Sequence, residues 1–469
     1  MSQNKYVRLL LDMIVFVIGT VLAKAVQFLL MPVYTTYMST EAYGMAELTN
    51  NLSEFFLPIV TLCIYESVFR FTVGSSLKKE EIISVSIKIV SLSAFVGAIV
   101  LMAGNVLFHY QYAGYLYFVL YAYSYKMLIA YYVRGKGKTK IFAASGIVNA
   151  TFLAFFSYIL LVKLHWNVEG YLLAIGFAYT ASMLFLFVGG KVYSDLVWGV
   201  EIKKIGRELL EYSMPLIIYN IGYWITTMSG RYILLWTKGA STAGMYAAVV
   251  KLAAVINMFQ QAFYAAFQLN TSREYESTEK ETYFTNIFRL YSTIILIFGT
   301  ITLSVSPLLA KFTLKKDFFE ARVFLPVILF ISVIDCMFCF YKTMYTTFKF
   351  TKRAVPSMLL GAIINIIIGS VTANQYGIWG ICFASFLCYA SQIIYRIIDV
   401  NRFVKIECNW KYIISSISLL LVQAIFLSKG SLIAISGSFI IAAFVILASM
   451  LICKEDIIKI LKRCKNIIF

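Results

Sequence analysis

Long apolar stretches follow one another along almost the whole chain, separated by short polar segments. A helix needs about 20 mainly apolar residues to cross a membrane, and on this criterion the chain contains fourteen such stretches. They are residues 9–33, 45–69, 83–107, 113–133, 141–162, 170–190, 213–236, 244–268, 286–310, 323–345, 355–373, 376–396, 412–428 and 431–452. Little sequence is left between them. The pattern therefore predicts an all-α polytopic membrane protein with about fourteen transmembrane helices.

Composition supports this class. Of the 469 residues, 61% are hydrophobic and only 14% are charged, and the mean hydropathy is +0.80, well above the range of soluble domains. The cysteines lie in predicted spans or on the predicted cytoplasmic side, so we expect no disulfide framework. Cys336 and Cys339 form a CxxC pattern in the middle of a span, where small residues that pack helices are a better interpretation than a metal ligand set.

The net charge of +18 could suggest a nucleic-acid partner, but the positions of the charges favour another interpretation. Of the Lys and Arg residues outside the spans, 27 fall on the side of the N-terminus and 7 on the other side. Such a split follows the positive-inside rule. It predicts a multi-pass protein with both termini in the cytoplasm. The basic excess is then a topology signal, with some attraction to anionic membrane lipids and no role in nucleic-acid binding.

The predicted cytoplasmic segment 191–212 is long and polar, and it separates six spans from the next six. We therefore predict an N-terminal lobe at 1–200, a C-terminal lobe at 201–400, and a final region at 401–469 with two further spans and a basic amphipathic tail on the membrane surface. A weak internal echo supports a parallel repeat. "STEAYGMAEL", from Ser39, leads into the second span, and "STAGMYAAVVKL", from Ser241, leads into the eighth.

Charged residues inside the predicted spans are the main functional clue. The basic ones are Lys24, Arg70, Lys88, Lys126, Arg231, Lys251 and Lys342, and the acidic ones are Asp12, Glu47, Glu54, Glu66 and Asp335. Because a Lys or Arg at the centre of a span costs about 2.5–3.5 kcal/mol on insertion scales, such groups normally face a protein interior or a watery cavity.

Polar residues recur at helical spacing in four of the spans, each on one face. The stripes are Thr20, Lys24 and Gln27 in the first span; Glu47, Asn51, Glu54, Pro58 and Thr61 in the second; Asn220, Trp224, Thr227 and Arg231 in the seventh; and Asn257, Gln261, Tyr264 and Gln268 in the eighth. A hydrated cavity shared by the two halves would explain all four stripes.

Some of these charges have structural explanations. Lys88 can extend to the cytoplasmic interface, Asp12 is close to that interface, and Glu66 can neutralise Arg70 one turn away. Asp335 and Lys342 share a face and can bond neighbouring helices. Lys24, Lys126 and Arg231 have no obvious acid partner within their own helices, so a cavity role is favoured for them, and less strongly for Lys251.

An excess of cations in a cavity predicts an anionic ligand, because Lys and Arg hold phosphate through charge-assisted hydrogen bonds. Tyrosines of the fourth span surround Lys126 in the sequence and could stack on sugar rings or bond hydroxyl groups. They are Tyr115, Tyr117, Tyr121, Tyr123, Tyr125, Tyr131 and Tyr132. The outermost of them suit the membrane interface equally well.

Several spaced stretches together resemble the polysaccharide-unit flippases (Wzx, polysaccharide transporter type) of the multidrug/oligosaccharidyl-lipid/polysaccharide exporter superfamily. The stretches are "GTVLAKAVQFLLMPVYTTYMSTEAYG", "YESVFRFT", "YYVRGKGKTKIF", "LLEYSMPLIIYNIGYWITTMSGRYILL" and "GMYAAVVKLAAVINMFQQAF". The resemblance covers nearly the whole chain and rests on spaced patterns. The cationic cavity residues of the family match Lys24, Arg70, Lys126 and Arg231 in kind and approximate place.

The resemblance implies two six-helix lobes around a central cavity, two additional C-terminal helices and alternating access. It also implies an undecaprenyl-pyrophosphate-linked sugar unit as substrate, for O-antigen, capsule or another surface polysaccharide, with a polymerase and chain-length machinery as partners. No cofactor is expected. Coupling to protons or sodium could use Glu47, Glu54, Glu66 or Asp335.

Four other functions compete with this one. A lipid II flippase handles a similar anionic lipid, whereas a multidrug exporter of the same superfamily usually handles cations, which this charge pattern suits poorly. A membrane glycosyltransferase or polymerase would need acid/base residues at the outer surface, where the first loop offers only Glu41 and the two histidines stand alone. A pure scaffold would gain little from charges inside the membrane. We therefore predict a transporter and not an enzyme.

Overall fold

A computed structural model describes residues 28–74, 77–257, 280–347 and 351–452, together with Val26 and Gln260. Within these ranges the chain forms fifteen α-helices and no β-strand. They are α1 (Met31–Tyr37), α2 (Thr40–Val60), α3 (Ile64–Gly74), α4 (Lys79–Phe108), α5 (Ala113–Gly135), α6 (Thr139–Ser157), α7 (Val168–Gly189), α8 (Ile202–Lys238), α9 (Ala240–Ala253), α10 (Lys280–Thr313), α11 (Leu325–Thr347), α12 (Thr351–Tyr376), α13 (Ile378–Val400), α14 (Trp410–Ser428) and α15 (Leu432–Ile452).

The all-α membrane fold is confirmed, but the count of fourteen spans is not. In the described ranges, ten helices are long and apolar enough to cross a membrane, or eleven if α2 and α3 are one bent span. The helices α5 and α8 are not among them, because tyrosines and other polar residues lower their hydropathy. The first predicted span up to residue 25, which includes Lys24, lies outside the described residues, as do Gln261 and the tail from residue 453.

The chain forms two compact units. One comprises Met1–Tyr232 with Gly239–Gly244, and the other comprises Ile233–Lys238 with Met245–Phe469. The predicted division at residues 200 and 400 stays a prediction.

In the first unit, α5 is the central helix. It packs against α2, α3, α4, α6 and α7. Its apolar residues Leu120, Leu128 and Ile129 are buried in the main core cluster of this unit. In contrast, α4 leaves large apolar residues such as Phe95 and Met102 exposed. These residues suit contact with lipid tails, as expected for a helix at the edge of a membrane domain.

A sharp bend interrupts the second predicted span. The axes of α2 and α3 differ by 58°, and between them Leu62 and Cys63 both adopt positive φ, at 49° and 52°. Left-handed backbone costs an L-residue roughly 1–2 kcal/mol. The amide of Cys63 donates to the carbonyl oxygen of Pro58 at 3.2 Å, which satisfies one backbone group at the break. Pro58, which the sequence places on the polar stripe of this span, therefore also precedes the bend. The hydropathy pattern does not reveal this bend.

In the second unit, α11 is the most enclosed helix and packs against α10, α12, α13 and α14. The last two helices belong to the same core. The side chain of Gln423 on α14 is fully buried and bonds Thr300 and Ser304 of α10 and Ser438 of α15. The last two spans, predicted to be additional to the two lobes, therefore pack directly on α10 of this unit.

Candidate functional site

The predicted polar stripes of α2 and α8 meet within the first unit. The indole Nε1 of Trp224 donates to the backbone oxygen of Asn51 at 3.0 Å, and the hydroxyl of Tyr232 donates to the backbone oxygen of Leu48 at 2.9 Å. Near the bend, the amide of Asn220 contacts the Cys63 sulfur at 3.5 Å. Sequence periodicity thus identifies two faces that lie against each other.

Arg231 is the charged residue enclosed at this contact. Its side chain is only 7% exposed, and its Nη1 lies 3.0 Å from the sulfur of Met228 on the same helix. Its Nε has no hydrogen-bond partner among the described residues, and neither has the Nδ2 of Asn51, which is 2% exposed. Two buried donors on these two helices are therefore available to an acceptor that the described residues do not provide. Thr227 bonds only backbone oxygens of its own helix.

Glu47 lies in a cluster of tyrosines inside the first unit. It is 4% exposed, and its Oε1 accepts hydrogen bonds from Tyr43, at 3.4 Å, and from Tyr171. The ring of Tyr34 contacts both of these rings, with its centroid 6.1 Å from Tyr43 and 5.0 Å from Tyr171. These phenols supply donors to a carboxylate far from bulk water, as a buried acid requires. The sequence indicates Glu47, but no pattern in the sequence indicates its partner Tyr171 on α7.

Lys126 on α5 forms a second cluster. Its Nζ lies 4.7 Å from the ring centroid of Tyr179 and 6.0 Å from that of Tyr123, and the two rings stack at 4.8 Å. The carboxylate of Glu54 is close enough to interact electrostatically with both tyrosines. A half-buried ammonium beside stacked phenols can hold an anion and offer ring faces and hydroxyls to a sugar.

Most of the tyrosines that precede and follow Lys126 have other partners. Tyr117 and Tyr121 donate to backbone oxygens of Ala94 and Ser93, and Tyr125 bonds Ser91, all on α4. These residues attach α5 to α4. Of the tyrosines predicted to surround Lys126, Tyr123 is the one whose ring is recorded beside its ammonium group. The second ring beside this ammonium is Tyr179 of α7, which only the tertiary structure reveals.

Glu66 and Arg70 do not pair with each other in the structure. Arg70 is exposed, whereas Glu66 interacts with Tyr131 and Arg134 of α5. The guanidinium of Arg134 lies 4.7 Å from the ring of Phe69, next to Arg70 in the sequence. The hypothesis that Glu66 neutralises Arg70 is therefore wrong.

The second unit has its own buried polar group. Asp335 on α11 interacts electrostatically with Lys342 and with Arg396 of α13. Arg396, the last residue of its predicted span and one of the 27 basic residues counted on the cytoplasmic side, is only 5% exposed, and it donates to Ser357 at 3.2 Å and to Gln392. The i, i+4 spacing of Gln392 and Arg396 is the sequence signal that could have revealed it.

The remaining predicted residues of this unit are less enclosed. Lys251 in the last turn of α9 and Asn257 just beyond that helix are half-buried. The sulfur of Cys336 contacts the backbone oxygen of Ile256 at 3.8 Å, so this cysteine serves helix packing. No group of metal-binding side chains occurs in the ranges that the structure describes.

A sequence profile of a family described as polysaccharide biosynthesis protein matches residues 9–267, more than half of the chain. A comparison with curated proteins gives no match.

Solved structures with the same fold are transporters. A lipid II flippase, MurJ, in an inward closed conformation has a TM-score of 0.68 at 12% identity, covering 95% of this chain and 100% of that one. An inward-facing multidrug resistance transporter of the MATE family in the MOP superfamily has a TM-score of 0.61 at 11% identity, covering 82% and 95%. A MOP superfamily transporter from Pyrococcus furiosus reaches 0.58 at 13% identity, covering 84% and 96%. At these identities the likeness establishes the fold alone.

Proposed function

The chain belongs to the polysaccharide biosynthesis protein family, and from this premise we propose that it is a flippase for a lipid-linked sugar unit. It would move an undecaprenyl-pyrophosphate-linked oligosaccharide from the inner to the outer leaflet of the bacterial cytoplasmic membrane, by alternating access. The exported unit would serve synthesis of a surface polysaccharide such as O-antigen or capsule. A polymerase and chain-length machinery would then act on it.

The observation that carries this proposal is the buried Arg231, whose Nε has no hydrogen-bond partner in the ranges that the structure describes. A guanidinium enclosed in a membrane domain is costly unless an acceptor compensates it. The pyrophosphate of a lipid-linked sugar supplies such acceptors, and a guanidinium binds phosphate oxygens in a bidentate manner. Lys126 with Tyr123 and Tyr179 offers a second place for acidic or hydroxyl groups of the sugar.

The proposed direction of transport is favourable for an anionic substrate. With the predicted topology, export carries an anion out of an electrically negative cytoplasm. The membrane potential then favours transport by about 2.3 kcal/mol per charge for each 100 mV. Sugar transfer is not part of the proposal, since the buried groups described above suit binding rather than bond cleavage.

The test is surface polysaccharide in a deletion strain that carries Arg231→Ala, Arg231→Lys or Arg231→Glu. Losing a hydrogen bond to a charged group costs about 1.5–3 kcal/mol, so we expect a loss of about tenfold or more with Ala and Glu. Lysine keeps the charge and should restore part of the export. Arg207→Ala is the matched control, because Arg207 is exposed and pairs with Glu211. Full export by all three variants would reject Arg231 as a substrate contact and leave Lys24 and Lys126 as the candidates.

A lipid II flippase is the second candidate, because its ligand carries the same pyrophosphate and the MurJ fold matches almost the whole chain. Complementation separates the two functions. Rescue of a strain depleted of lipid II flippase would favour this alternative, whereas rescue only of the surface-polysaccharide deletion would favour the main proposal. A multidrug exporter remains less suitable, because basic groups outnumber acids in the spans.

A further inference from the structure

The Lys and Arg residues on the predicted outer side are not evenly distributed. Of the seven basic residues on that side, four lie within residues 311–322, and a fifth, Lys429, follows α14. Short outer segments of membrane proteins are normally poor in Lys and Arg, so this concentration is not a topology signal. We call residues 311–322 the outer basic segment, and it lies within the second unit. Its four cations are Lys311, Lys315, Lys316 and Arg322.

The backbone of the outer basic segment is held by the core of this unit. After the end of α10, Lys316–Val323 forms a 3₁₀ helix that contacts α10, α11 and α14. Phe318 and Ala321 on this helix are fully buried, whereas the four cations are exposed. The segment therefore presents its positive charges on a fixed backbone at the surface of the unit.

The acids of the segment do not neutralise these cations. Among the residues that the structure describes, none of the four forms an ion pair, although Asp317 and Glu320 are close to them in the sequence. The Nζ of Lys315 donates to the backbone oxygen of Lys311 at 3.0 Å. With four basic and two acidic residues, the segment has a net charge of +2, and its cations are accessible to an external anion.

Arg322 is oriented by an aromatic ring. Its Cζ lies 4.3 Å from the ring centroid of Phe319, and its Nη1 donates to the backbone oxygen of the same residue at 3.2 Å. A guanidinium carries more N–H donors than these contacts use. A guanidinium that stacks on a ring keeps its edge free, and that edge matches two oxygens of a phosphate group.

An exposed apolar face adjoins the segment. Leu308 and Phe312, one turn apart near the end of α10, are 64% and 58% exposed, and Lys311 lies between them in the sequence. Exposed apolar side chains at the end of a span suit contact with lipid tails. An anion bound here can therefore carry an apolar chain that stays in the bilayer, so the surface suits a lipid-linked phosphate better than a free one.

We propose that the outer basic segment binds the pyrophosphate of a prenyl-linked sugar in the outer leaflet. Arg322 holds phosphate oxygens with its free edge, and Lys315 and Lys316 supply further positive charge. The segment receives the exported molecule after it has crossed the membrane. The inference rests on the proposed function, because flipping is what delivers such a molecule to this side.

The first test is protection of a thiol within the segment. Glu320→Cys places this thiol at an exposed position that is not one of the proposed ligands. In phosphatidylcholine proteoliposomes, farnesyl pyrophosphate should slow the reaction of the thiol with a membrane-impermeant maleimide several-fold. Inorganic pyrophosphate and farnesol at the same concentration should not. Leu164→Cys is the matched control, because Leu164 is exposed on an outer segment of the first unit and should react at the same rate with and without the ligand.

The second test removes the cations. In the Glu320→Cys background, Arg322→Ala should raise the concentration of farnesyl pyrophosphate needed for protection by about tenfold or more, the cost of a lost hydrogen bond between charged groups. Arg322→Lys should have a smaller effect. Lys163→Ala is the matched control, because the Nζ of this outer lysine also lies beside a ring, 5.7 Å from that of Tyr158. Unchanged protection in both Arg322→Ala and the Lys315→Ala, Lys316→Ala double variant would overturn the proposal.

Two further results would also overturn it. Equal protection by inorganic pyrophosphate would make the segment a site for a free anion. Slow labelling without any ligand, seen only when phosphatidylglycerol replaces phosphatidylcholine, would make it a contact with anionic membrane lipids.

The proposed function is tested separately. A deletion strain that keeps its surface polysaccharide would reject the flippase function, whereas thiol protection in proteoliposomes would still decide whether the segment binds a prenyl pyrophosphate.

Discussion

Arg231 and Glu47 represent two ways of placing a charged group inside a membrane domain. The acid receives hydrogen bonds from Tyr43 and Tyr171, so the fold itself compensates its burial. The Nε of the arginine remains without an acceptor in the described part of the chain. A buried carboxylate that is held by hydrogen bonds is suited to gaining and losing a proton. A buried guanidinium that keeps a donor for another molecule is suited to binding an anion.

We expect Glu47 to be a proton-coupling residue, because it is the most enclosed of the four candidate acids and its phenol partners can bond either protonation state. Glu47→Gln keeps an acceptor for the tyrosines but cannot ionise. Surface polysaccharide should fall while the amount of inserted protein stays normal, and substrate-driven proton movement in proteoliposomes should disappear.

Glu41→Gln is the matched control for this prediction, because Glu41 is an exposed acid in the first turn of the same helix. If proton movement survives in Glu47→Gln, another acid such as Glu54, Glu66 or Asp335 carries the coupling.

At the scale of helices, polar contacts inside the membrane domain decide which helices stay together. Gln423 is the clearest case, since one amide links α14 to α10 and α15 through Thr300, Ser304 and Ser438. Apolar surfaces gain little from contact with each other in lipid, so such hydrogen bonds and close packing carry the specificity.

Gln423→Leu should therefore lower the stability of the second unit. Each interhelical hydrogen bond in a membrane protein contributes about 0.6 kcal/mol, and at most about 1.7, so the loss of several predicts a destabilisation of about 1–2 kcal/mol. Thermal unfolding of the purified protein in detergent would measure it as a lower Tm. Val422→Leu is the control, because this neighbour is 41% exposed. An unchanged Tm in Gln423→Leu would show that α14 and α15 are held by packing alone.

At the scale of the whole molecule, the distribution of Lys and Arg predicts the orientation in the membrane. Alkaline phosphatase fused after Gly430, in the turn between α14 and α15, should be active because this turn is predicted to lie outside. The same enzyme fused after Asn401, in the segment between α13 and α14, should be inactive. The opposite pattern would invert the predicted topology and with it the predicted direction of transport.

The sequence by itself determined the class of the protein. Long apolar stretches with few charges can satisfy their backbone in lipid only as helices, so the all-α membrane fold follows from hydropathy alone, and the resemblance to a polysaccharide flippase was confirmed at the level of family and fold. Helical periodicity also identified Glu47, Asn51, Trp224 and Arg231, because polar residues on one face of a span must meet something other than lipid.

Only the tertiary structure decided which polar groups meet. Tyr171 and Tyr179 join Glu47 and Lys126 from a different helix, and Arg396 turned out to be buried. The bend at Leu62 and Cys63 also became visible only there. The physical reason is that hydropathy and periodicity are properties of one helix. Partners, bends and backbone contacts depend on how separate helices pack, and a single sequence does not encode that packing in any local pattern.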